Sequence, residues 1–345
     1  MAFLEFNNVR IAGFSAGVPK TIVKTKSRNP KYSDEEFIAN VGVREKRVDD
    51  ATTTSDCCYH AAEKLISDLG WEKDSIEAII FVSQFTDYIL PATSCILQER
   101  LGLSKECSAF DIGLGCSGFV YGLNAISALV STGNVKRALL MVGDAKRPFD
   151  TSLMDPLFGY AGCVTALEYQ VGGGKISFHL GTDGSGYDAI IIPEGGARRP
   201  FNSHTLNIDV DEDGVRRNGL CSRMKGMDVF SFAISTAPKS IKKLAERHQI
   251  NLADVDYLVL HQANKSINER IAKKLGFGPE RVLNSMEYFG NTSSASIPMS
   301  IVAQTTSETY KKTKSFMTCG FGVGLSWGTA YFKLKDCIIS ELVEI

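Results

Sequence analysis

Two rhythms of apolar and polar positions succeed one another along the chain. Around Ala62-Glu63-Lys64-Leu65 the spacing is that of an amphipathic helix, and after Leu69-Gly70-Trp71 it gives way to the apolar run Ala78-Ile79-Ile80-Phe81-Val82, which predicts a buried strand. The same order returns far downstream, as Lys243-Leu244-Ala245-Glu246, then Ile250-Asn251-Leu252, then Tyr257-Leu258-Val259-Leu260. Gln84 and Gln262, which close the two copies, lie 178 residues apart. Further landmarks keep the register: Gly102 in Glu99-Arg100-Leu101-Gly102-Leu103 pairs with Gly276 in Lys273-Lys274-Leu275-Gly276-Phe277 at an offset of 174. Cys116 in Gly115-Cys116-Ser117-Gly118 pairs with Asn291 in Gly290-Asn291-Thr292-Ser293 at 175, and Gly143 pairs with Gly320 at 177. Four landmarks in one order at a near-constant offset mark an internal duplication.

Strands separated by helical patterns of about ten to fifteen residues predict crossover connections and sheets that are at least partly parallel. The expected class is therefore α/β, with two similar halves: residues 1–170 carry Cys116, and residues 171–345 carry His261 and Asn291. In such sheets ligands gather beyond the carboxyl ends of the strands, so residues that directly follow buried strands are where chemistry is expected.

Composition narrows the classes of function. The 345 residues are 44% hydrophobic and 22% charged, which excludes a disordered chain or a small disulfide-stapled scaffold. A formal net charge of −1 supplies no global field toward nucleic acid or an anionic membrane. One basic cluster, Lys20, Lys24, Lys26, Arg28 and Lys31, reads as a solvated loop. The first residues lack a basic segment followed by an apolar stretch, and no apolar run approaches the ~18 residues that span a bilayer. The expectation is a cytoplasmic protein that meets neither membrane nor nucleic acid.

Nine cysteines with no Cys-x-x-Cys pair give neither a disulfide framework nor a structural zinc site. Five histidines without ligand spacing make a metal catalyst improbable, so no metal and no cofactor are expected.

Cys116 stands after the strand-like run Cys107-Ser108-Ala109-Phe110-Asp111-Ile112 and before a helix carrying Val120, Leu123, Ile126 and Leu129. Glycines on either side permit a tight strand-to-helix turn, and a helix N-terminus favours thiolate over thiol, so Cys116 is the candidate nucleophile and its own N–H a candidate oxyanion donor. The other eight cysteines read as small buried hydrophobes. His261 directly follows Tyr257-Leu258-Val259-Leu260, where a lone histidine is often just a satisfied core group; the duplication tips it toward function. Asn291 occupies the turn equivalent to that of Cys116, although asparagine also serves there simply as a helix cap. The stretch Gly320-Phe321-Gly322-Val323-Gly324-Leu325-Ser326-Trp327-Gly328 holds too many glycines for an ordinary strand interior, and close approach of the backbone to a ligand explains them. A cysteine with one histidine and one asparagine also describes papain-like hydrolases, but the strand-to-helix setting in a duplicated α/β chain argues against them.

Gly115-Cys116-Ser117-Gly118, His261-Gln262-Ala263-Asn264, Gly290-Asn291-Thr292-Ser293 and Gly322-Val323-Gly324-Leu325-Ser326-Trp327-Gly328 together resemble 3-oxoacyl-acyl-carrier-protein synthase III, of the thiolase-like superfamily. The resemblance covers nearly the whole chain. It implies a homodimer of five-layered αβαβα subunits and a Cys116–His261–Asn291 triad that performs decarboxylating Claisen condensation of an acyl thioester primer with malonyl-acyl-carrier protein. It also implies an oxyanion hole from the N–H groups of Cys116 and Val323, carrier docking at Lys273 and Lys274, and an acyl tunnel closed by Leu90 from the partner subunit.

Departures from the family pattern bear on the primer. Relatives that accept coenzyme A usually carry tryptophan and arginine where this chain has Glu36 and Asn40, so acyl-coenzyme A remains possible without an evident nucleotide clamp. Two docking positions that are basic in relatives are Ser266 and Ser231 here, while Lys239, Lys242, Lys243 and Arg247 fall on roughly one helix face. The loop Gly159-Tyr160-Ala161-Gly162-Cys163 departs at Tyr160, for which the sequence offers no physical account. A thiolase would use a second cysteine at position 320, which is glycine. A non-decarboxylating acyltransferase of the same fold and a non-catalytic chain-length or scaffold subunit stand as alternatives.

Overall fold

The structure, a computed structural model, describes residues 2–27, 33–145, 157–210 and 216–345. Arg28 and Lys31 of the basic segment lie outside the described residues. Lys20, Lys24 and Lys26 are exposed as expected, but the segment is not all loop, since Ile22–Lys24 pairs antiparallel with Glu45–Arg47.

Two principal sheets carry the fold, and their strands are numbered here in chain order. The first contains β2 (Val9–Val18), β3 (Ala78–Val82), β4 (Ser108–Ile112), β5 (Arg137–Gly143) and β6 (Gly162–Tyr169) in the order β2-β6-β5-β3-β4. The second contains β7 (Lys175–Thr182), β8 (Tyr257–Leu260), β9 (Val282–Leu283), β10 (Lys314–Gly322) and β11 (Ser326–Leu334) in the order β7-β11-β10-β8-β9. Both run antiparallel across the first three strands of that order and parallel across the last three. The duplication in the sequence is thus a duplication of topology. The chain ends cross over: β1 (Ala2–Asn7) pairs with β7, while β12 (Ile338–Ile339) and β13 (Val343–Glu344) pair with β2.

Helices α2 (Thr54–Leu69), α3 (Thr93–Arg100) and α4 (Gly118–Ser131) belong to the first half, and α5 (Gly226–Arg247), α6 (Lys265–Leu275) and α8 (Ser296–Gln304) to the second; α1 (Asp34–Val41) and the single turn α7 (Met286–Phe289) lie between elements. Local signals delimit them. Thr53 and Asp56 form a reciprocal capping box at the start of α2, and Gly70 ends it in the left-handed region at φ 62°.

Strand alternation builds the layers. In β3, Ala78, Ile80 and Val82 face one core while Ile79 and Phe81 face another, and in β5 Ala138, Leu140 and Val142 alternate with Leu139 and Met141 in the same sense. The side holding Ile79, Phe81, Leu139 and Met141 packs on Ala61, Leu65 and Leu97 of α2 and α3. The other side shares a core with Phe119, Leu123 and Ile126 of α4, Ile297 and Ile301 of α8, and Phe178, Val259 and Phe316 of the second sheet. Leu258, Leu260, Met317 and Phe321 face outward onto Ala237, Ile241 and Leu244 of α5 and Ile271 of α6. Helix, sheet, helix, sheet, helix is the five-layered αβαβα order expected. Each central strand is covered on both faces, which is why its sequence reads as a continuous apolar run. Among the described residues, no helix is long and apolar enough to cross a membrane.

Candidate active site

β4 ends at Ile112, and Gly113-Leu114-Gly115 carries the chain to Cys116, two residues before α4 begins. The Gly118 N–H donates to the Gly115 carbonyl at 2.7 Å and closes the turn. Neighbouring atoms press on it from several sides. A Cβ on Gly118 would lie 2.7 Å from Val82 Cγ1, one on Gly320 would lie 2.9 Å from the Cys116 carbonyl oxygen, and one on Gly322 would lie 2.5 Å from Cys116 Cβ. These contacts correct the expectation for the glycine-rich stretch. Gly320, Gly322 and Gly328 do sit inside regular strands of a β10–β11 hairpin, and Gly320 and Gly322 are glycines because the cysteine turn packs directly on them. The Ser326 hydroxyl donates to the Val323 carbonyl and lies 2.7 Å from Ser117 Oγ, so the turn that presents Val323 is tied to the turn that presents Cys116.

Cys116 is half-buried, whereas burial raises the thiol pKa of Cys57, Cys58, Cys163 and Cys337, and pushes Cys319 up to about 12. Those five are inert packing groups and Cys221 is buried as well, as the sequence suggested, but Cys95 is exposed and Cys107 half-buried, so the reading of all eight as buried hydrophobes is corrected at these two.

His261 is the residue immediately after β8 and is 2% exposed. Its N–H donates to the Cys319 carbonyl at 2.8 Å, and its ring meets the edge of Phe321 at a centroid distance of 5.7 Å and an angle of 88°. Nδ1 lies 2.8 Å from Ser296 Oγ. Burial lowers the imidazole pKa to about 4, opposed in part by the Ser293 backbone, so the ring is neutral at physiological pH. The remaining histidines stand in α2 (His60), in β7 (His179), in a loop (His204) and at the C-terminal end of α5 (His248).

Asn291 follows α7 and Gly290, whose φ of 66° lets the chain turn sharply. Its backbone is held by a segment that pattern reading missed: the Asn291 N–H donates to the Leu157 carbonyl at 2.7 Å, and its carbonyl accepts from the Gly159 N–H at 3.2 Å. In the buried side chain Oδ1 accepts from the Ser293 N–H at 2.9 Å, which leaves the Nδ2 amide as a donor. The loop from Asn291 to Ser296 touches the turn that carries Cys116 and the ring of His261. Ser293 Oγ lies 3.3 Å from where a Cβ on Gly115 would stand, and Ser296 meets the His261 ring. Residues 319–322 of β10 likewise touch both the Cys116 turn and His261. The turn that carries Cys116, His261 and the loop that begins at Asn291, far apart in the chain, thus come together. Ser296 was missed because nothing in Ser293-Ser294-Ala295-Ser296 distinguishes its hydroxyl from its neighbours'.

The outlying expectations are placed as follows. Lys273 and Lys274 are exposed in the last turn of α6, where cations also suit the helix dipole, and Lys274 Nζ reaches the Ile234 carbonyl at 3.4 Å. Lys239, Lys242 and Arg247 are exposed along α5, as is Ser231, while Ser266 is half-buried. Glu36 has a local duty, closing a capping box with Ser33 at the start of α1, and Asn40 is exposed on the same helix. A Cβ on Gly42 would lie 2.7 Å from Lys265 Cβ, so the end of α1 abuts the start of α6, three residues after the His261-Gln262 pair. Leu90 is 84% exposed beside Ile89 on the loop between β3 and α3. The Tyr160 N–H donates to the Arg47 carbonyl at 2.8 Å, which anchors the segment that holds Asn291.

A duplicated five-layered α/β fold, with a cysteine at one strand-to-helix turn, a histidine at a strand end of the other half and an asparagine in the turn equivalent to that of the cysteine, defines a thiolase-like protein. Comparison narrows the class. Residues 110–184 match the model described as 3-oxoacyl-[acyl-carrier-protein] synthase III, and residues 245–334 match its C-terminal model. The chain is 32% identical over 336 residues to the beta-ketoacyl-[acyl-carrier-protein] synthase III of Clostridium acetobutylicum, covering 95% of this chain and 99% of that protein. It is 33% identical over 305 residues to that of Clostridioides difficile, covering 87% and 90%. The crystal structure of a 3-oxoacyl-(acyl-carrier protein) synthase from Burkholderia xenovorans superposes with a TM-score of 0.90 at 35% identity, over 100% of this chain and 99% of the other. The chain belongs to the 3-oxoacyl-acyl-carrier-protein synthase III family.

Proposed function

We infer that the protein is an acyl-transferring condensing enzyme that joins an acyl thioester primer to malonyl-acyl-carrier protein with loss of carbon dioxide. The carrying observation is that the Asn291–Ser296 loop and residues 319–322 each touch both the Cys116 turn and His261. A nucleophile and two neutral donors thereby share one site.

In the first half-reaction the Cys116 thiolate attacks the primer carbonyl. The N–H groups of Cys116 and Val323 hold the oxyanion, and the carrier sulfur departs as thiolate and takes up the proton that the Cys116 thiol gave up, leaving acyl-Cys116. Malonyl thioester then enters. His261 Nε2–H and Asn291 Nδ2–H donate to its thioester oxygen and stabilise the enolate formed as carbon dioxide leaves. The enolate carbon attacks acyl-Cys116, and the thiolate is expelled. A neutral imidazole with a burial-lowered pKa suits a hydrogen-bond donor of this kind better than a proton-exchanging base. None of these steps calls on a metal or a cofactor.

The exposed Lys273 and Lys274 dock the acidic carrier, and the exposed Leu90 closes the acyl tunnel of a partner subunit in a cytoplasmic homodimer. The test is intact-mass spectrometry. Incubation with an acyl thioester is expected to add one acyl group, mapped to Cys116, and later addition of malonyl-acyl-carrier protein to yield a 3-oxoacyl product. An unlabelled protein would mean a scaffold, and a labelled protein without 3-oxoacyl product would mean simple acyl transfer.

A further inference from the structure

His261 is neutral, and a neutral imidazole has one N–H, so its role is decided by which nitrogen carries it. Donation to an enolate requires the proton on Nε2, and then Nδ1 must accept. The hydroxyl facing Nδ1 is that of Ser296, at 2.8 Å, and both side chains are buried, at 2% and 1% exposure. Ser296 is the first residue of α8, so its position is set by the helix rather than by a flexible loop.

The surroundings of Ser296 Oγ present a choice. The Gln262 N–H points at it from 3.3 Å and occupies a lone pair, while the Ser293 carbonyl lies 2.7 Å away as a second acceptor for its single proton. If the hydroxyl donates to Ser293, Oγ must accept Nδ1–H and Nε2 is bare. If it donates to Nδ1, Nε2 keeps its proton, and the Ser293 carbonyl is still satisfied because it accepts from the Ser296 backbone N–H. The second arrangement costs the Ser293 carbonyl no loss of partner and is the one the condensation step needs.

We propose that Ser296 is a positioning residue: its hydroxyl donates to His261 Nδ1 and holds the imidazole as the Nε2–H tautomer that serves the malonyl enolate. This rests on the reading of His261 as an enolate donor. Without the hydroxyl, the Ser293 backbone, which already favours a protonated ring, is left to draw the imidazole proton to Nδ1, and Nε2 no longer donates.

The experiment compares Ser296→Ala, Ser296→Thr and His261→Ala in the full-length protein. For Ser296→Ala we expect acylation of Cys116 within about twofold of the parent, malonyl decarboxylation slowed by ~10–10²-fold, and a change in ¹⁵N imidazole shifts showing Nε2 converted from a protonated to a bare nitrogen. Ser296→Thr, which retains a hydroxyl, is expected to restore both the tautomer and the rate. A purely structural role would not exchange the protonated nitrogen. The proposal is overturned if the parent carries its proton on Nδ1, or if Ser296→Ala keeps the parent's tautomer. His261→Ala separates the two readings: normal decarboxylation in that variant would sink the enolate role, while the ¹⁵N shifts would still report on Ser296.

Discussion

A side-chain carbon on Gly322 would fall 2.7 Å from the sulfur of Cys116. The two residues, more than 200 positions apart, are in contact through the absence of a side chain, and Gly322 also holds a φ of 156° that other residues rarely adopt. Gly322→Ala should therefore displace the nucleophile. Misplacement on the scale of an ångström costs about 10²-fold in rate, so acylation measured by mass spectrometry should slow by that order while the protein remains folded. Acylation at the parental rate would show that the turn yields without loss.

The three residues that meet at the site should separate by half-reaction. Cys116→Ala is expected to abolish the acyl adduct. His261→Ala or Asn291→Ala should still acylate but decarboxylate malonyl thioester ~10²–10³-fold more slowly, since each removes one donor to the developing enolate. Loss of acylation with intact decarboxylation in the two latter variants would reverse the assignments.

Burial holds the His261 pKa at about 4, which fixes a pH dependence. Above about pH 6.5 the imidazole is neutral in both folded and unfolded chains. Between that value and about 4 only the unfolded chain binds the proton, so stability from this group falls as pH falls through that window. Decarboxylation should accordingly show no inflection near pH 6.5 from His261, and urea midpoints should decline on acidification toward pH 4. A group near 6.5 that titrates in parent and vanishes in His261→Ala would contradict the assignment.

The primer's carrier can be predicted from α1. Glu36 is committed to capping that helix and carries a charge that repels phosphate, and Asn40 is neutral, so the positions at which relatives grip coenzyme A offer no stacking ring and no cation. Forfeiting both contacts is worth roughly 2–4 kcal/mol. An acyl group should be used at least ~10-fold better from carrier protein than from coenzyme A, as read by kcat/KM for one chain length on both. Equal use would locate the nucleotide grip elsewhere.

Exchanging Lys273 and Lys274 for Glu should raise KM for carrier-bound substrates far more than for small thioester mimics, because these exposed side chains stand in the last turn of α6, whereas His261 lies ahead of its first. Equal effects on both substrate types would mean that the pair supports the helix rather than the partner.

The sequence carried the duplication and the order of the elements, and it singled out three candidate site residues, because each of these depends on local pattern. A strand covered on both faces must be apolar throughout, and a residue directly after such a strand stands at its carboxyl end wherever the sheet is placed, which marked His261; Cys116 was marked by its glycine turn between strand and helix, and Asn291, which follows α7, only by its register with Cys116 in the duplication. Other features have no local mark. Gly320 and Gly322 are glycine because Cys116 lies against them, Asn291 is held by the backbone of Leu157 and Gly159, and Ser296 matters because α8 sets its hydroxyl beside Nδ1. The exchange of β1 and of β12 and β13 between the two sheets likewise left no trace in the order of residues. Periodicity is a property of a single segment, whereas these contacts join segments far apart in the chain, and only packing the five layers together brings them within reach.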